Sequence, residues 1–370
     1  WKQHTKYKGP VGDVVSVIYR VDANSLITHP DSVLKQHPFL KHLFSHYKKE
    51  YQYLVYARKC ELIYEEKDPW GLQPNNFKYL EELVAEGNEQ LDRKLNEFLK
   101  LRYAYQLLKI SYYNPGFGKS VEELYGQYIK NSAQKTWLKA SANFYVHETI
   151  ATNPEERQYL LTLSFDESID KKFRCVQLFD RKHYLQTLKH ARNNHERANI
   201  HVMHELQNPA RSLNMLKKIA ELDPENDYLP FLIAREINKI EDWLLTPELT
   251  GYGPSISEYQ YGDAAQQVFN IKALSNKKYV GDVYALIIKS IKGTSPGREA
   301  ELQVLASNIC ILLHQKEKGL QHLLAAQNSN NPLPLNYQIR FNKIALQMDG
   351  KTFLTPELQQ DLLEFHIFNK

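Results

Sequence analysis

Apolar side chains along this chain return at three- and four-residue spacing, and no run alternates every second residue as a half-buried strand would. That pattern constrains the fold more than composition does: the chain is expected to be all-α. The stretch 208–232, NPARSLNMLKKIAELDPENDYLPFL, shows the rule. Leu213, Leu216, Ile219 and Ala220 form one apolar stripe, Leu222-Asp223-Pro224-Glu225-Asn226 interrupts it, and a second stripe starts at Tyr228.

The opening segment admits two readings. VGDVVSVIYRVDANSL (11–26) is dense enough in Val and Ile for a strand, yet Val14, Val17 or Ile18, and Val21 fall at helical spacing, with Asp13 placed to cap. Helix is the reading adopted. One long aromatic-rich helix is expected over 39–64, after Pro38, and EEKDPWGLQPNN (65–76) is a loop. Helical pattern then fills 77–113, with a break near Gly87, and YNPGFGKS (113–120) makes a turn. Further helices are expected at 121–129 and 136–151, and one from Asn153-Pro154 to 165 with proline at its first position. Others follow at 170–179, 181–191, 195–206, 210–221 and 228–245. TPELTGYGPSISEYQYGD (246–263) is the richest stretch in Gly, Pro and Ser and the best boundary or protruding loop. Beyond it, helices are expected at 264–274, 280–291, 299–314, 317–327, 334–347 and 356–367. The chain thus divides into an N-terminal segment 1–76, helical repeats 77–245, the boundary 246–263 and further repeats 264–370.

Bulk properties narrow the class. With 42% apolar and 24% charged residues, the 370-residue chain is composed like a globular protein. Its 15 glycines are few, which suits helices. A net charge of +4 is small and does not mark a nucleic-acid binder. Cys60, Cys175 and Cys310 lie far apart with no CxxC, so no local zinc cluster or disulfide framework is expected, and each reads as a small buried apolar residue. No apolar run reaches the ~18 residues of a membrane span. The chain opens at Trp1 without Met or an apolar leader, as a processed or trimmed product would.

A repeat lies within the helices. In AELQVLASNICILLHQKEKGLQHLLAAQNSNNPL (300–333) the first helix carries Ala306, Ser307 and Cys310; the second carries Gly319, Leu323 and Ala326, with Pro332 after it. Small residues stand where two helices must approach closely. This resembles the tetratricopeptide repeat, a 34-residue pair of antiparallel helices closed by proline. Residues 193–226 resemble it too, through Ser212, Leu216, Ile219 and LDPEN, as do 101–134 through Ala104, Leu108, Ser120 and Leu124, without the closing proline. The family's Trp, Gly and Tyr positions are mostly replaced, so these are divergent repeats. LRYAYQLL and AREINKIEDWLL also give the chain a resemblance to exported helical-repeat proteins of bacteria, which implies a periplasmic or outer-membrane-associated location.

The resemblance implies a right-handed superhelical array whose concave face binds partners. Carried onto this sequence, it selects Arg102, Tyr105, Lys109, Tyr112 and Tyr113 in the first unit. It selects Asn194, Arg197, His201, His204 and Glu205 in the second, and Tyr228, Phe231, Arg235, Asn238 and Lys239 in the helix after it. Aromatic rings with Arg and Lys suit an extended, partly acidic peptide. The family's carboxylate-clamping pattern of Lys and Asn is not reproduced. The same residues also fit an interhelix core with a solvated charged face.

Motifs with chemistry are sparse. GFGKS (116–120) matches the end of a phosphate-binding loop, but Tyr113 stands where its first glycine is needed and a helix precedes it. His42 with His46, and His201 with His204, are spaced to share a metal face. His147-Glu148 and His204-Glu205 lack the second His of HExxH, and a solvated or stacked role is the simpler reading. No Gly-x-Ser-x-Gly elbow occurs, and Asp166 with Glu167 fits a helix end. The sequence therefore reads as a non-catalytic helical-repeat scaffold that binds protein partners, without cofactor, metal or nucleic acid. Its rivals are an enzyme or small-ligand binder with a site around His201 and His204, and a structural accessory subunit.

Overall fold

A computed structural model describes residues 1–65, 77–133, 136–250, 252–254, 265–329, 333–350 and 353–368. They are helical, with no strand among them. They form two compact units, Trp1–Gln177 and Leu178–Lys370, so the expected segment 77–245 is shared between both. None of the described helices is long and apolar enough to cross a membrane.

Unit 1 holds α1 (Val11–Tyr19), α2 (Ala23–Thr28), α3 (Pro30–Gln36), α4 (Pro38–His46), α5 (Lys48–Glu65), α6 (Phe77–Asp92) and α7 (Glu97–Tyr113). After these come α8 (Val121–Leu124), which continues as a π-helical turn Tyr125–Ile129, then α9 (Trp137–Ile150), α10 (Pro154–Glu167) and α11 (Lys172–Leu178), which reaches the division. The helical reading of the opening segment holds, with Val14 and Val17 facing inward. Asp13 does not cap; Pro10 holds that position, and the Asp13 carboxylate accepts the Tyr7 hydroxyl. The carbonyl end of α1 is satisfied from a distance, by Arg58 Nη2 donating to Val17 O and Ile18 O.

Two expected features of unit 1 differ. The long helix of 39–64 is two helices, because Tyr47 leaves helical geometry (φ −135°, ψ 59°), receives nothing from proline or glycine, and serves as the end of α4 and the start of α5. The break near Gly87 lies instead at 93–96, where the Asn96 side chain accepts the Leu99 N–H and starts α7. Gly87 stays mid-helix for a packing reason: a Cβ there would lie 2.4 Å from the Tyr56 hydroxyl and 2.8 Å from Leu107. Its absence lets α6 close on α5 and α7. Helix α7 is the centre of this unit, packing against α5, α6, α8 and α9 and burying Leu99, Ala104, Leu108 and Ile110 fully.

Unit 2 opens with α12 (Tyr184–Thr187) between two 3-10 turns, Arg181–His183 and Leu188–His190, in place of the continuous helix expected at 181–191. It continues with α13 (Asn194–Leu206), α14 (Leu213–Leu222), α15 (Leu229–Thr250), α16 (Ala265–Ile291), α17 (Pro296–Leu312), α18 (Lys316–Asn328), α19 (Leu333–Met348) and α20 (Pro356–Phe368). Helix α15 runs through Pro247, so the expected boundary begins inside a helix; Gly251 and residues 255–263 lie outside the described residues, as do the loop residues 66–76 and Pro332. Two expected helices, 264–274 and 280–291, are one. Ser275 and Asn276, in the gap between those two ranges, have their side chains held by Arg211, whose Nη1 and Nη2 donate to Ser275 Oγ (3.3 Å) and Asn276 Oδ1 (2.6 Å).

From α13 onward, helices pack against the ones that follow one or two steps along the chain: α13 on α14 and α15, α15 on α16 and α17, α17 on α18 and α19, α19 on α20. The α17–α18 pair is the tightest, and the small residues expected at its contact are buried there. A Cβ on Gly319 would lie 2.7 Å from Leu346 and 3.2 Å from Cys310 Cβ. The three cysteines are free and buried.

The turn 222–227 joins several of these helices. Asp223 accepts from His195 at the start of α13 (2.7 Å), and buried Asn226 donates to Asn199 (2.9 Å). Glu225 accepts the Ser295 N–H (2.7 Å), and Arg298 at the start of α17 pairs with Asp227 (3.3 Å). The interruption between two apolar stripes is thus a joint with partners on both sides in sequence.

Candidate functional site

On α7, the residues selected for a binding face divide between interior and surface. Arg102 is buried, with its guanidinium 3.4 Å from the Phe98 ring centre and 5.3 Å from that of Trp1, and Nη1 donating to Phe98 O. Tyr105 is buried against Tyr145 and Trp137. Lys109 is half-buried; burial first, and then the Lys171 charge, pull its pKa below the ordinary lysine value. Tyr112 is half-buried, 4.8 Å from Tyr145, and Tyr113 is exposed. These rings and those of α9 form one aromatic cluster, in which α7 supplies packing as much as surface.

On α13 and α15, the structure gathers His204, Glu205, Arg235 and Lys239 around the turn 207–212 and sets His201 against Tyr184, while Phe231 (58% exposed), Asn194 and Asn238 face outward and Tyr228 and Arg197 lie half-buried. Lys239 is 3% exposed. Its ammonium pairs with Glu236 Oε2 and donates to Ala210 O and Ser212 Oγ. Glu236 Oε1 accepts the Tyr279 hydroxyl and the Ser212 N–H. Arg235 donates to Glu205 O. Lys239 is therefore an interior residue and lines no face. A lysine–glutamate pair three residues apart is readable on a helix; its burial is not, because the lid is Tyr279, supplied by α16.

Both ring nitrogens of His204 have partners: Nδ1 lies 2.8 Å from Glu205 Oε1 and Nε2 lies 3.3 Å from Arg181 Nη2. Burial pushes the Glu205 carboxyl up, but hydrogen bonds from His204, Asn208 and Ser212 outweigh it and hold the pKa below the usual range. His201 Nδ1 shares a hydrogen bond with the Tyr184 hydroxyl. Burial, then the charges of Lys218 and His204, lower its pKa to about 4. Among the described residues no group of three or more His, Cys, Asp or Glu is placed to hold a metal. His42 donates to Thr5 O, and its ring lies 5.2 Å from that of His46.

The GFGKS turn has its own occupant. Gly116 and Gly118 adopt φ of +97° and +76°, and Ser120 caps α8 by accepting the Glu123 N–H. The Glu123 carboxylate in turn accepts the Ser120 N–H (2.8 Å), so the chain's own carboxylate sits where a helix start would meet a phosphate. Ser120 is a cap here and not the interhelix packing position the repeat assigned to it. Arg181, Tyr184, Glu236 and Tyr279 were not singled out by sequence, since their partners are brought in by other helices.

No protein-family model, curated protein or solved structure matches this chain.

Proposed function

We propose that the chain is a non-catalytic helical-repeat scaffold that docks a partner polypeptide, with divergent tetratricopeptide-like hairpins in unit 2. The observation that carries this reading is the neighbour-to-neighbour packing of α13 to α20, each helix leaning on the next one or two. Such stacking buries a continuous core and leaves outward helix faces for contact. One such face is aromatic. Tyr337, Phe341 and Met348 fall on a single stripe of α19 and are 39%, 49% and 44% exposed. Phe365 of α20 extends it, with ring centres 4.7 Å from Tyr337 and 6.1 Å from Phe341. Large apolar side chains grouped on a surface mark interaction sites.

The test is site-specific photo-crosslinking from position 341 in the host, followed by Phe341→Asp. A stoichiometric protein partner whose crosslink and co-purification are lost on the substitution supports docking. A partner that binds the variant as well as the wild type, or none at all, overturns it. In the rival reading His201 and His204 hold a metal or small ligand; such a ligand has to displace Tyr184, Glu205 and Arg181 from the ring nitrogens.

A further inference from the structure

Residues 1–8 of unit 1, WKQHTKYK, lie outside its helices and pack across α4, α5 and α7. Trp1 is the anchor: its ring is 6.0 Å from Tyr53 and stacked on it, 5.1 Å from Phe98 and 6.5 Å from Phe39, with Arg102 above. His4 stacks on Phe98 at 3.8 Å with the planes 6° apart, and donates to buried Glu50 (2.8 Å). Tyr7 meets Phe39 at 5.1 Å and His42 at 5.3 Å. Thr5 is fully buried, and its carbonyl accepts from His42 (2.9 Å).

Three features set this segment apart from the body it lies on. Its backbone-to-backbone hydrogen bonds run within itself, from Thr5 N to Trp1 O, Lys6 N to Gln3 O and Tyr7 N to Lys2 O, so lifting it away breaks no helix ladder and costs the main chain only the bond from His42. Lys6 is held at φ +50°, a conformation that favours glycine and is strained for lysine. The segment returns to α1 through Gly9, where a Cβ would strike the Tyr7 ring at 2.4 Å. It is attached chiefly by the rings of Trp1, His4 and Tyr7, three residues apart on a turn-like backbone, in the way a helical peptide lays its anchors into a groove.

We propose that the α4–α5–α7 groove is a peptide-recognition site occupied in cis by residues 1–8, a strap whose release admits a partner segment of the same chemistry. That segment is basic, like the strap with its three lysines and no acidic residue, and carries an aromatic anchor followed three residues later by a ring that stacks on Phe98 and donates to Glu50. This rests on the docking reading for its purpose, but it concerns unit 1 and is measured apart from α19.

The experiment uses the full chain. In native-state hydrogen exchange, the amides of Thr5, Lys6 and Tyr7 are expected to exchange through a local opening that hardly depends on denaturant, ahead of the amides of α7. Trp1→Ala is expected to speed that opening by about tenfold or more, and Lys6→Gly to slow it. A labelled synthetic peptide of residues 1–9 is then expected to bind the Trp1→Ala chain and not the wild type. Exchange of the strap only through global unfolding overturns the proposal, and that result is read on the wild type even if Trp1→Ala does not fold. A peptide that ignores the folded variant, or binds wild type equally, also overturns it. So does a concentration-dependent dimer of the wild type, which places the strap on a second copy.

Discussion

The two units bury different things. Unit 1 gathers around one helix and fills its interior with rings: Phe39, Tyr53, Tyr56, Phe98, Tyr103, Tyr105, Phe144 and Tyr145 are all buried, and its buried Arg102 lies over aromatic faces. Unit 2 proceeds helix by helix and locks the turn after α13 with charge, through Lys239, Glu236, Tyr279 and Arg235. Rings tolerate rearrangement because their attraction is spread over many weak contacts, whereas a buried ion pair fails as soon as one partner goes. A cation in each unit should therefore respond differently to the same neutral replacement.

Lys239→Met is the largest effect expected. It leaves Glu236 buried without its cation, at about 3–5 kcal/mol. Arg102→Met keeps an apolar stem against Phe98 and Trp1 and should lose only about 1 kcal/mol. Urea unfolding followed by hydrogen exchange in α15 and α7 separates the two. Equal losses would break the contrast between the units.

Acid should weaken unit 2 next. The folded-state pKa of His201 lies at about 4, below the ordinary histidine value near 6.5. Above the ordinary value neither state is protonated there and the residue contributes nothing. As pH falls through the window between the two values, the unfolded chain takes the proton first and the folded state loses stability, by up to ~3 kcal/mol once pH is below the folded value. The difference in stability between wild type and His201→Gln, measured from neutral pH down to the folded pKa, isolates this group. A difference that does not change with pH would show that the Tyr184 contact leaves His201 free to titrate normally.

Within unit 1, Gly87→Ala sharpens the picture of rings closing on a glycine. The added methyl meets the Tyr56 hydroxyl and Leu107, and overpacking of this kind destabilises by about 1–3 kcal/mol. Tyr56→Phe removes the nearest atom, together with the hydrogen bond to Leu83 O (3.2 Å). Part of the Gly87→Ala penalty should therefore vanish in the Tyr56→Phe background, and a double-mutant cycle with zero coupling would refute the contact.

Much of the helical order was legible, for local reasons. Asn153-Pro154 and Ser120 with Glu123 mark starts by chemistry that acts within one turn. The small residues at 306, 307, 310 and 319 mark a close helix pair wherever it occurs. What failed depended on partners from afar. The gap expected after 274 is helix in which Arg211 holds the side chains of Ser275 and Asn276, and the division at Tyr47 has no proline or glycine to announce it. The candidate binding face suffered most: Arg102, Tyr105, His201 and Lys239 have the composition of a contact surface, but Trp1, Trp137, Tyr184 and Tyr279 cover them. A charged residue at helical spacing reveals its face only when its cover is known: Lys239 has its counter-charge Glu236 on its own helix, but the Tyr279 lid comes from α16.

Ser120 decides between a local and a tertiary role at the smallest energy. As an interhelix packing residue it would accept alanine, which is small and favours helix, and would suffer from glycine. As the cap of α8, reciprocated by Glu123, it should show the reverse: Ser120→Ala loses about 1 kcal/mol, and Ser120→Gly only a few tenths. Thermal or urea unfolding of the two variants side by side gives the order directly. If alanine is the better tolerated, the reciprocal hydrogen bonds of Ser120 and Glu123 contribute little, and the repeat-like reading of 101–134 regains the position it lost to the cap.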